Sequence, residues 1–320
     1  MASRTINAFL ACTSLLLVAG CSSPIATIDA GKNYLCILRD NGKAECHNYD
    51  ESRGPNAWVD DPDWPSLDTP SERLTSISTT YGHFCGLTHH GRLRCTGDRD
   101  FYEPVPEGAF VEVETSDYST CALDEAGEAT CWGLSFYEQG KDHYKGSDLE
   151  PPAGPYQHVY GHDNGYCGLR TDGTVTCWGT DFRDIASPPD GHFQRLLTDG
   201  GYANCGIPEQ GEPVCWGWDQ SAPLLQQFLR SNSGFRSAAF ALDGACVLDA
   251  EGHAQCMSYP ALDPSHYDPP AGVAFKQITA GYHFFCGLAQ EPVDGHDVLC
   301  WGCPFDADTK GPGVCETIPW

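Results

Sequence analysis

CGLRTDGTVTCWG, residues 167–179, holds two cysteines ten positions apart, with a glycine between them and Trp-Gly directly after. The same pattern occurs seven times along the 320 residues, the last time with a longer insert. The first cysteines of the copies, 36 to 49 residues apart, are Cys36, Cys85, Cys121, Cys167, Cys205, Cys246 and Cys286. A repeat of this length suits one four-stranded blade of a β-propeller. We therefore predict an all-β fold, a seven-bladed β-propeller.

A glycine follows the first cysteine by six positions in the six regular copies: Gly42, Gly91, Gly127, Gly173, Gly211 and Gly252. Glycine accepts the left-handed backbone that a three-residue hairpin loop needs at its bulge position. Such a loop makes the two cysteines direct cross-strand partners in a non-hydrogen-bonded pair, with Cα atoms about 4.5 Å apart. That separation lies within the range of a disulfide. The pattern therefore predicts disulfide-stapled hairpins.

The cysteine count agrees with this interpretation. Of 18 cysteines, all but Cys12 and Cys21 can pair, as an exported disulfide framework requires. The predicted bridges are Cys36–Cys46, Cys85–Cys95, Cys121–Cys131, Cys167–Cys177, Cys205–Cys215, Cys246–Cys256, Cys286–Cys300 and Cys303–Cys315. Zinc sites need close Cys-x2-Cys pairs that converge in fours, which these hairpins do not offer. The single Cys-x-x-Cys, Cys300 to Cys303, lacks the βαβ surroundings of a redox motif.

Each hairpin also has an apolar side. The residue two after each first cysteine is apolar: Leu38, Leu87, Leu123, Leu169, Ile207, Leu248 and Leu288. Residues two apart share one face of a strand. We expect this face to pack against a neighbouring blade.

The first 21 residues, MASRTINAFLACTSLLLVAGC, have the features of an export signal: Arg4, an apolar run, and small residues before Cys21. The segment resembles a bacterial lipoprotein signal, which implies cleavage before Cys21 and lipidation of that residue. We expect residues 1–20 to be the signal, 21–24 a lipidated tether and 25–320 the propeller. The protein would be anchored at the outer membrane or cell surface by lipid only. The alternative is an ordinary cleaved signal and a secreted protein.

The segments FKQITAGYHFFCGL (275–288) and CGLRTDGTVTCWG, with the PPAG sequences between repeats, resemble the repeats of the regulator of chromosome condensation family. The resemblance runs from Ile25 to the C-terminal tail and implies a seven-bladed β-propeller. After three of the second cysteines the family's tryptophan is replaced, by His47, Thr96 and Met257. Guanine-nucleotide exchange in the nucleus, known for this family, does not fit an exported, acidic chain. The resemblance implies, more generally, a rigid disc whose loops grip a partner.

The charge balance excludes one class of partner. The formal net charge is −26, from 44 acidic and 18 basic residues, so the surface repels phosphate backbones. We therefore expect no nucleic-acid partner. The same charge favours a basic protein or peptide by electrostatic steering.

Long insertions interrupt the repeats at residues 47–74, 134–150 and 218–235. Loops between blades can carry recognition while the strands carry the fold. Their aromatic residues are either partner-binding anchors or lids over blade edges. The candidates are Trp58, Trp64, Phe136, Tyr137, Tyr144 and Trp218.

Catalysis would need acids, bases or metal ligands at matched positions near the axis. The residues two before each first cysteine are too varied for a ring of ligands: Tyr34, His83, Ser119, Gly165, Ala203, Gly244 and Phe284. Acidic loops at 60–63 and 306–308 resemble solvated loops more than calcium sites. We predict no catalytic residues, metal or cofactor.

These observations predict a non-enzymatic scaffold at the bacterial cell envelope whose inter-blade loops hold a protein or peptide. A carbohydrate-binding propeller is the alternative, because aromatic side chains also stack on sugars. A hydrolase is a third and less favoured class, since no nucleophile–base pair can be assigned.

Overall fold

The computed structural model describes residues 23–32, 34–48, 67–80, 82–99, 102–136, 143–144, 149–162, 165–179, 184–198, 203–218, 220–259 and 265–302. Seven three-stranded antiparallel sheets follow one another along the chain and form the blades of a propeller. This confirms the predicted all-β, seven-bladed fold with stapled hairpins.

The strands of the first four blades and of one short extra ladder are as follows. Blade 1 contains β1 (Ile25–Ala30), β2 (Tyr34–Arg39) and β3 (Ala44–Asn48), and blade 2 contains β4 (Leu74–Thr79), β5 (His83–Thr88) and β6 (Leu93–Gly97). Blade 3 contains β7 (Glu112–Ser116), β8 (Ser119–Leu123) and β9 (Ala129–Gly133), and a two-stranded ladder, β10 (Ser135–Phe136) with β11 (His143–Tyr144), follows it. Blade 4 contains β12 (Tyr156–His162), β13 (Gly165–Arg170) and β14 (Val175–Gly179).

The remaining three blades have the same order. Blade 5 contains β15 (Phe193–Leu197), β16 (Ala203–Pro208) and β17 (Val214–Gly217), and helix α1 (Ala222–Ser231) follows it. Blade 6 contains β18 (Ser237–Ala241), β19 (Gly244–Leu248) and β20 (Ala254–Ser258), and blade 7 contains β21 (Phe275–Ala280), β22 (Phe285–Val293) and β23 (His296–Trp301). Among the helices that the structure describes, none has the length and apolar character to cross a membrane.

The blades differ from the expected four strands, because each sheet in the described residues has three. The segments that lead from one blade to the next are rich in proline, which has no amide hydrogen for a strand ladder. These prolines include Pro104, Pro106, Pro151, Pro152, Pro155, Pro188 and Pro189. The repeat length therefore indicated a blade correctly, and three of the expected four strands lie in the described residues of each blade.

The hairpins between the second and third strands have the predicted geometry. Seven disulfides join directly opposed cysteines whose Cα atoms lie 4.0–4.1 Å apart. The eighth predicted pair, Cys303–Cys315, lies outside the described residues. All six predicted loop glycines have positive φ, between 72° and 111°. At Gly91 the amide donates to Thr88 O at 2.8 Å, and Thr88 N donates to Arg92 O at 2.9 Å, which closes the three-residue loop.

Five of the six loop glycines also connect their blade to the next one. The carbonyl of Gly91 accepts a 2.8 Å hydrogen bond from Phe110 N, just before β7. Gly42, Gly127, Gly173 and Gly252 make the same bond to the first residue of the next blade's first strand, at 2.7–2.9 Å. A Cβ on Gly91 would lie 2.6 Å from Phe110 O, so the close approach requires glycine as well as the positive φ.

The apolar hairpin faces form the core between blades, as expected. Six of the seven residues two after the first cysteine are buried, and Ile207 is half-buried. The tryptophans that follow the second cysteines are also buried: Trp132, Trp178, Trp216 and Trp301. Three of them pack on the aromatic residue that begins their own blade, with ring centroids 5.3–6.4 Å apart. Blades 4, 5 and 7 therefore each have an aromatic pair that joins the first strand to the third.

The ring closes between the first strands of blades 1 and 7. The side chain of Gln277 accepts from Thr27 Oγ1 (2.9 Å) and Ile28 N (3.1 Å) and donates to Ile28 O (2.7 Å). A core cluster beneath it joins Ile28 and Ile37 to Phe284. The segment 25–31 is thus the first strand of blade 1. The strand-like sequence VCETIPW (314–320) also suggests that the C-terminus completes a blade with N-terminal residues, but it lies outside the described residues.

Replacing Gln277 by alanine should open this junction. Three hydrogen bonds are lost and the partly buried amide and carbonyl of Ile28 lose their partner, at a cost of about 2 kcal/mol. For a chain of this size we expect Tm to fall by roughly 4 to 8 °C in thermal unfolding followed by circular dichroism. Gln255→Ala, at an exposed position of β20, is the matched control and should leave Tm unchanged. Equal melting of both variants and wild type would contradict this closure.

Candidate functional site

A cavity of about 210 Å³ lies on the propeller axis, where the first strands of the blades end. Blades 1, 2, 3, 4, 5 and 7 contribute residues to its wall. Its ionisable residues include Asp29, Lys32, Glu114 and Asp117. The wall thus carries more carboxylates than cationic groups.

One sequence position accounts for much of this wall. The residue seven before each first cysteine lies at the cavity in six blades: Asp29, Ser78, Glu114, Tyr160, Thr198 and Thr279. These residues do not occupy the position two before the cysteine, so the prediction made from that position did not include them. In most blades the wall residue is the cross-strand partner of the cysteine, as with Asp29 and Cys36. Counting residues back from the first cysteine to its partner on the first strand could therefore have identified the residues that line the cavity at the axis.

The same position bonds neighbouring first strands together. Thr79 N donates to Asp29 Oδ2 at 2.6 Å, and Thr115 N donates to Ser78 Oγ at 2.9 Å. Across the closure, Ala30 N donates to Thr279 Oγ1 at 3.0 Å. Because these strands are not paired with one another in a sheet, side chains supply the acceptors that their inward amides need. The wall of the cavity is therefore also an inter-blade bonding layer.

Asp29 has a strongly shifted pKa. Burial raises the pKa of this carboxyl from 3.8 to about 7, although hydrogen bonds from the amides of Thr79 and Ala30 act in the opposite direction. Asp29 is only half-buried, because its carboxyl borders the cavity. Near neutral pH the carboxyl is therefore partly protonated.

An ion pair crosses the mouth of the cavity. Lys32 Nζ of blade 1 lies 2.5 Å from Asp117 Oδ2 of blade 3, and both side chains are largely buried. The same ammonium donates to the hydroxyl of Tyr282 at 3.0 Å and lies 4.2 Å from the centroid of that ring. The cavity wall is thus chemically able to hold an ammonium group.

The six predicted aromatic anchors are not brought together by the described residues. Trp58, Trp64 and Tyr137 lie outside them. Phe136 and Tyr144 belong to the two-stranded ladder of β10 and β11, where their backbone partners are His143 and Ser135. Trp218 is half-buried before α1, and its carbonyl accepts from Ser221 N and Ala222 N at 2.9 and 3.0 Å.

Three histidines near the first cysteines occupy structural positions between blades. His83 is fully buried and its Nε2 lies 3.0 Å from Thr120 Oγ1 of the next blade. His162 is buried beside the cavity. His283 Nδ1 lies 3.1 Å from Asp243 Oδ2, which joins blades 6 and 7. Hydrogen bonds from His283 and Tyr267 outweigh the burial of Asp243 and lower the pKa of that carboxyl.

The pKa of Asp29 predicts how stability depends on pH. Because the folded-state pKa lies above the unfolded value, the folded chain binds an extra proton between about pH 4 and 7, and stability falls as the pH rises through this window. Asp29→Asn should weaken this fall and raise Tm at pH 8 by roughly 2 to 5 °C. Asp40→Asn, at an exposed turn, is the control and should follow wild type. Parallel Tm profiles for all three proteins would refute the assignment.

No family model matches the chain, and no curated protein matches it either. The chain does match solved structures. The ectodomain of the receptor kinase CR4 from Physcomitrella patens has 23% identity and a TM-score of 0.61, over 87% of this chain and 73% of that one. The CRINKLY WD40 ectodomain of ACR4 from Arabidopsis thaliana has 21% identity and a TM-score of 0.61, over 88% and 97%.

Yeast RCC1 (Prp20), in a structure with Kap60, has 15% identity and a TM-score of 0.56, over 99% of this chain and 91% of that one. At such identities these likenesses show the fold alone. They support an RCC1-like propeller. The seven disulfides are those of a protein that folds in an oxidising environment.

Proposed function

We propose that the protein is an exported, non-enzymatic scaffold that holds a protein or peptide partner and is tethered to the bacterial cell envelope by lipid on Cys21. The observation that carries the proposal is the acid-rich cavity at the axis of a disulfide-stapled ring. Asp29, Glu114 and Asp117 line it from two blades, and Asp117 pairs there with the ammonium of Lys32. The natural occupant is a basic side chain of the partner.

The charge of the whole chain supports a basic partner. Acidic residues outnumber basic ones by 44 to 18, so the field attracts cationic surfaces over distances of about one Debye length, roughly 8 Å at physiological salt. Such steering raises association rates more than it raises affinity. The cavity then adds a local acidic site to a general attraction.

Rigidity makes the propeller suitable for this task. Seven hairpins are cross-linked, and the carbonyls of five loop glycines each accept a hydrogen bond from the next blade. A preformed surface avoids the entropic cost of ordering loops on binding. Propellers of this shape serve as partners of proteins elsewhere: yeast RCC1 (Prp20) has been solved with Kap60 bound. The aromatic insertions remain proposed contact sites for the partner.

Reversing one charge at the cavity should weaken partner capture. Glu114→Lys places a cation on the wall, and we expect at least a tenfold weaker interaction, about 1.4 kcal/mol, with the protein captured from an envelope extract. Glu125→Lys makes the same charge change at an exposed hairpin loop of the same blade and should have little effect. Capture would be quantified at low salt by cross-linking and mass spectrometry. Equal losses in both variants would show general charge attraction without a cavity site.

The tether is tested by the mass of the exported protein. We expect a mature chain that begins at a lipidated Cys21, with its remaining sixteen cysteines resistant to alkylation without reductant. Cys21→Ser should move the chain from the membrane fraction to the soluble fraction. An unlipidated, freely soluble wild-type chain would contradict the tether but leave the scaffold proposal intact.

A further inference from the structure

The outer strand of blade 3, β9, has an open edge. Cys121 and Cys131 are directly opposed with Cα atoms 4.0 Å apart, the spacing of a non-hydrogen-bonded pair. The amides of Cys131 and Ala129 therefore point away from β8, toward the rim of the propeller. No described residue accepts a hydrogen bond from either amide. These are the groups that an added strand would use.

Blade 5 shows how the same edge is satisfied from within the chain. There the equivalent amide, Cys215 N, donates to Gln226 Oε1 of helix α1 at 3.1 Å. The helix is fixed over this edge by the buried side chains of Leu225 and Leu229. The outward amide of the second cysteine is thus available for a hydrogen bond, and in blade 5 an insertion of the chain provides the acceptor.

In blade 3 a groove of about 470 Å³ lies along the corresponding edge. Residues 129–133 form one side of it, and Trp132 and Leu149 give it apolar surface. Its charged residues are Glu103 and Glu150, with no basic side chain in its wall. Glu103 has a distant contact with Arg99, 3.7 Å between charged atoms at an exposed surface, which contributes little. The groove therefore combines backbone donors, an apolar floor and negative charge.

The connectors beside the groove do not supply the missing strand themselves. Pro104 and Pro151 line it, and proline offers no amide for a ladder. The indole of Trp132 donates to Tyr102 O at 2.8 Å, which holds the connector at the side of the groove. Among the described residues, none fills the space next to β9.

We propose that an extended, basic segment of a partner protein adds to blade 3 as a fourth strand, paired with β9. Its backbone carbonyls accept from Ala129 N and Cys131 N, and its lysine or arginine side chains face Glu103 and Glu150. This surface is separate from the axial cavity. The inference rests on the proposed function in one respect only, namely that the partner is a protein. Strand addition of this kind derives affinity from main-chain bonds and specificity from alternate side chains.

The probe is an octapeptide of alternating lysine and valine, which has the required charge and strand propensity. Binding to the purified exported chain would be measured by fluorescence anisotropy, and protection of the amides of residues 129–133 by hydrogen exchange. Two peptide controls separate the contributions. One has alternate amide nitrogens methylated, which blocks strand pairing at unchanged charge, and the other carries glutamate in place of lysine.

The matched protein variants are Ala129→Pro and Ala254→Pro. Both alanines are half-buried first residues of a third strand, paired with Leu123 and Leu248 respectively. Proline is tolerated where the amide points off a sheet edge, so both variants should fold. Glu150→Lys is a second variant that leaves the backbone intact.

We expect the lysine–valine peptide to protect residues 129–133, and Ala129→Pro and Glu150→Lys each to weaken binding at least tenfold. Ala254→Pro should bind as wild type, and both control peptides should fail. Equal binding of the methylated peptide, or of Ala129→Pro, would overturn strand addition and leave only charge attraction. A wild-type dimer that Ala129→Pro converts to a monomer, without peptide binding, would identify a second copy as the occupant and also overturn the proposal. The Glu114→Lys test measures partner capture through the axial cavity, whereas the peptide test measures pairing with β9. Either proposal can therefore fail while the other stands.

Discussion

The structure depends on one left-handed glycine in the hairpin of each repeat. Its amide closes the loop, as in the bond from Gly91 N to Thr88 O, and this register sets the two cysteines opposite each other. Its carbonyl then accepts the amide of Phe110 at the start of the next blade. One residue thus fixes the geometry within a blade and between blades. At Gly42, Gly91, Gly127 and Gly252 a Cβ would lie 2.5–3.0 Å from a backbone oxygen of the next blade, so a side chain there would disturb the contact between blades.

At the axis the first strands meet without pairing as a sheet, so their inward amides need acceptors from side chains. Asp29, Ser78 and Thr279 provide them to the next blade around the ring. These residues are therefore both structural acceptors and part of the wall of the cavity. The raised pKa of Asp29 is the energetic consequence of placing a carboxyl in that bonding layer.

Each blade sheet in the described residues has three strands, so the outer edges of the propeller are covered by other elements or border a groove. In blade 5 the chain covers the edge with a helix, and in blade 3 it leaves a groove beside the free amides of β9. An uncovered edge is a risk of aggregation unless it is short, charged or occupied by a partner. The five-residue length of β9 and the glutamates beside it limit non-specific pairing. The rim is therefore as relevant to recognition as the axis.

The sequence alone determined the number of blades, the hairpin loops and the seven stapled pairs, because each depends on spacing within about a dozen residues. It also indicated the apolar faces, of which only Ile207 is not fully buried. The repeat length also suggested a fourth strand in each blade, whereas the blade sheets in the described residues have three. The cavity and the β9 groove were decided by the tertiary structure, because Asp29, Glu114 and Lys32 meet only when distant repeats close into a ring. Local hydrogen-bond geometry can be inferred by counting residues along the chain. Burial, pKa values and the covering of strand edges instead depend on which blades become neighbours.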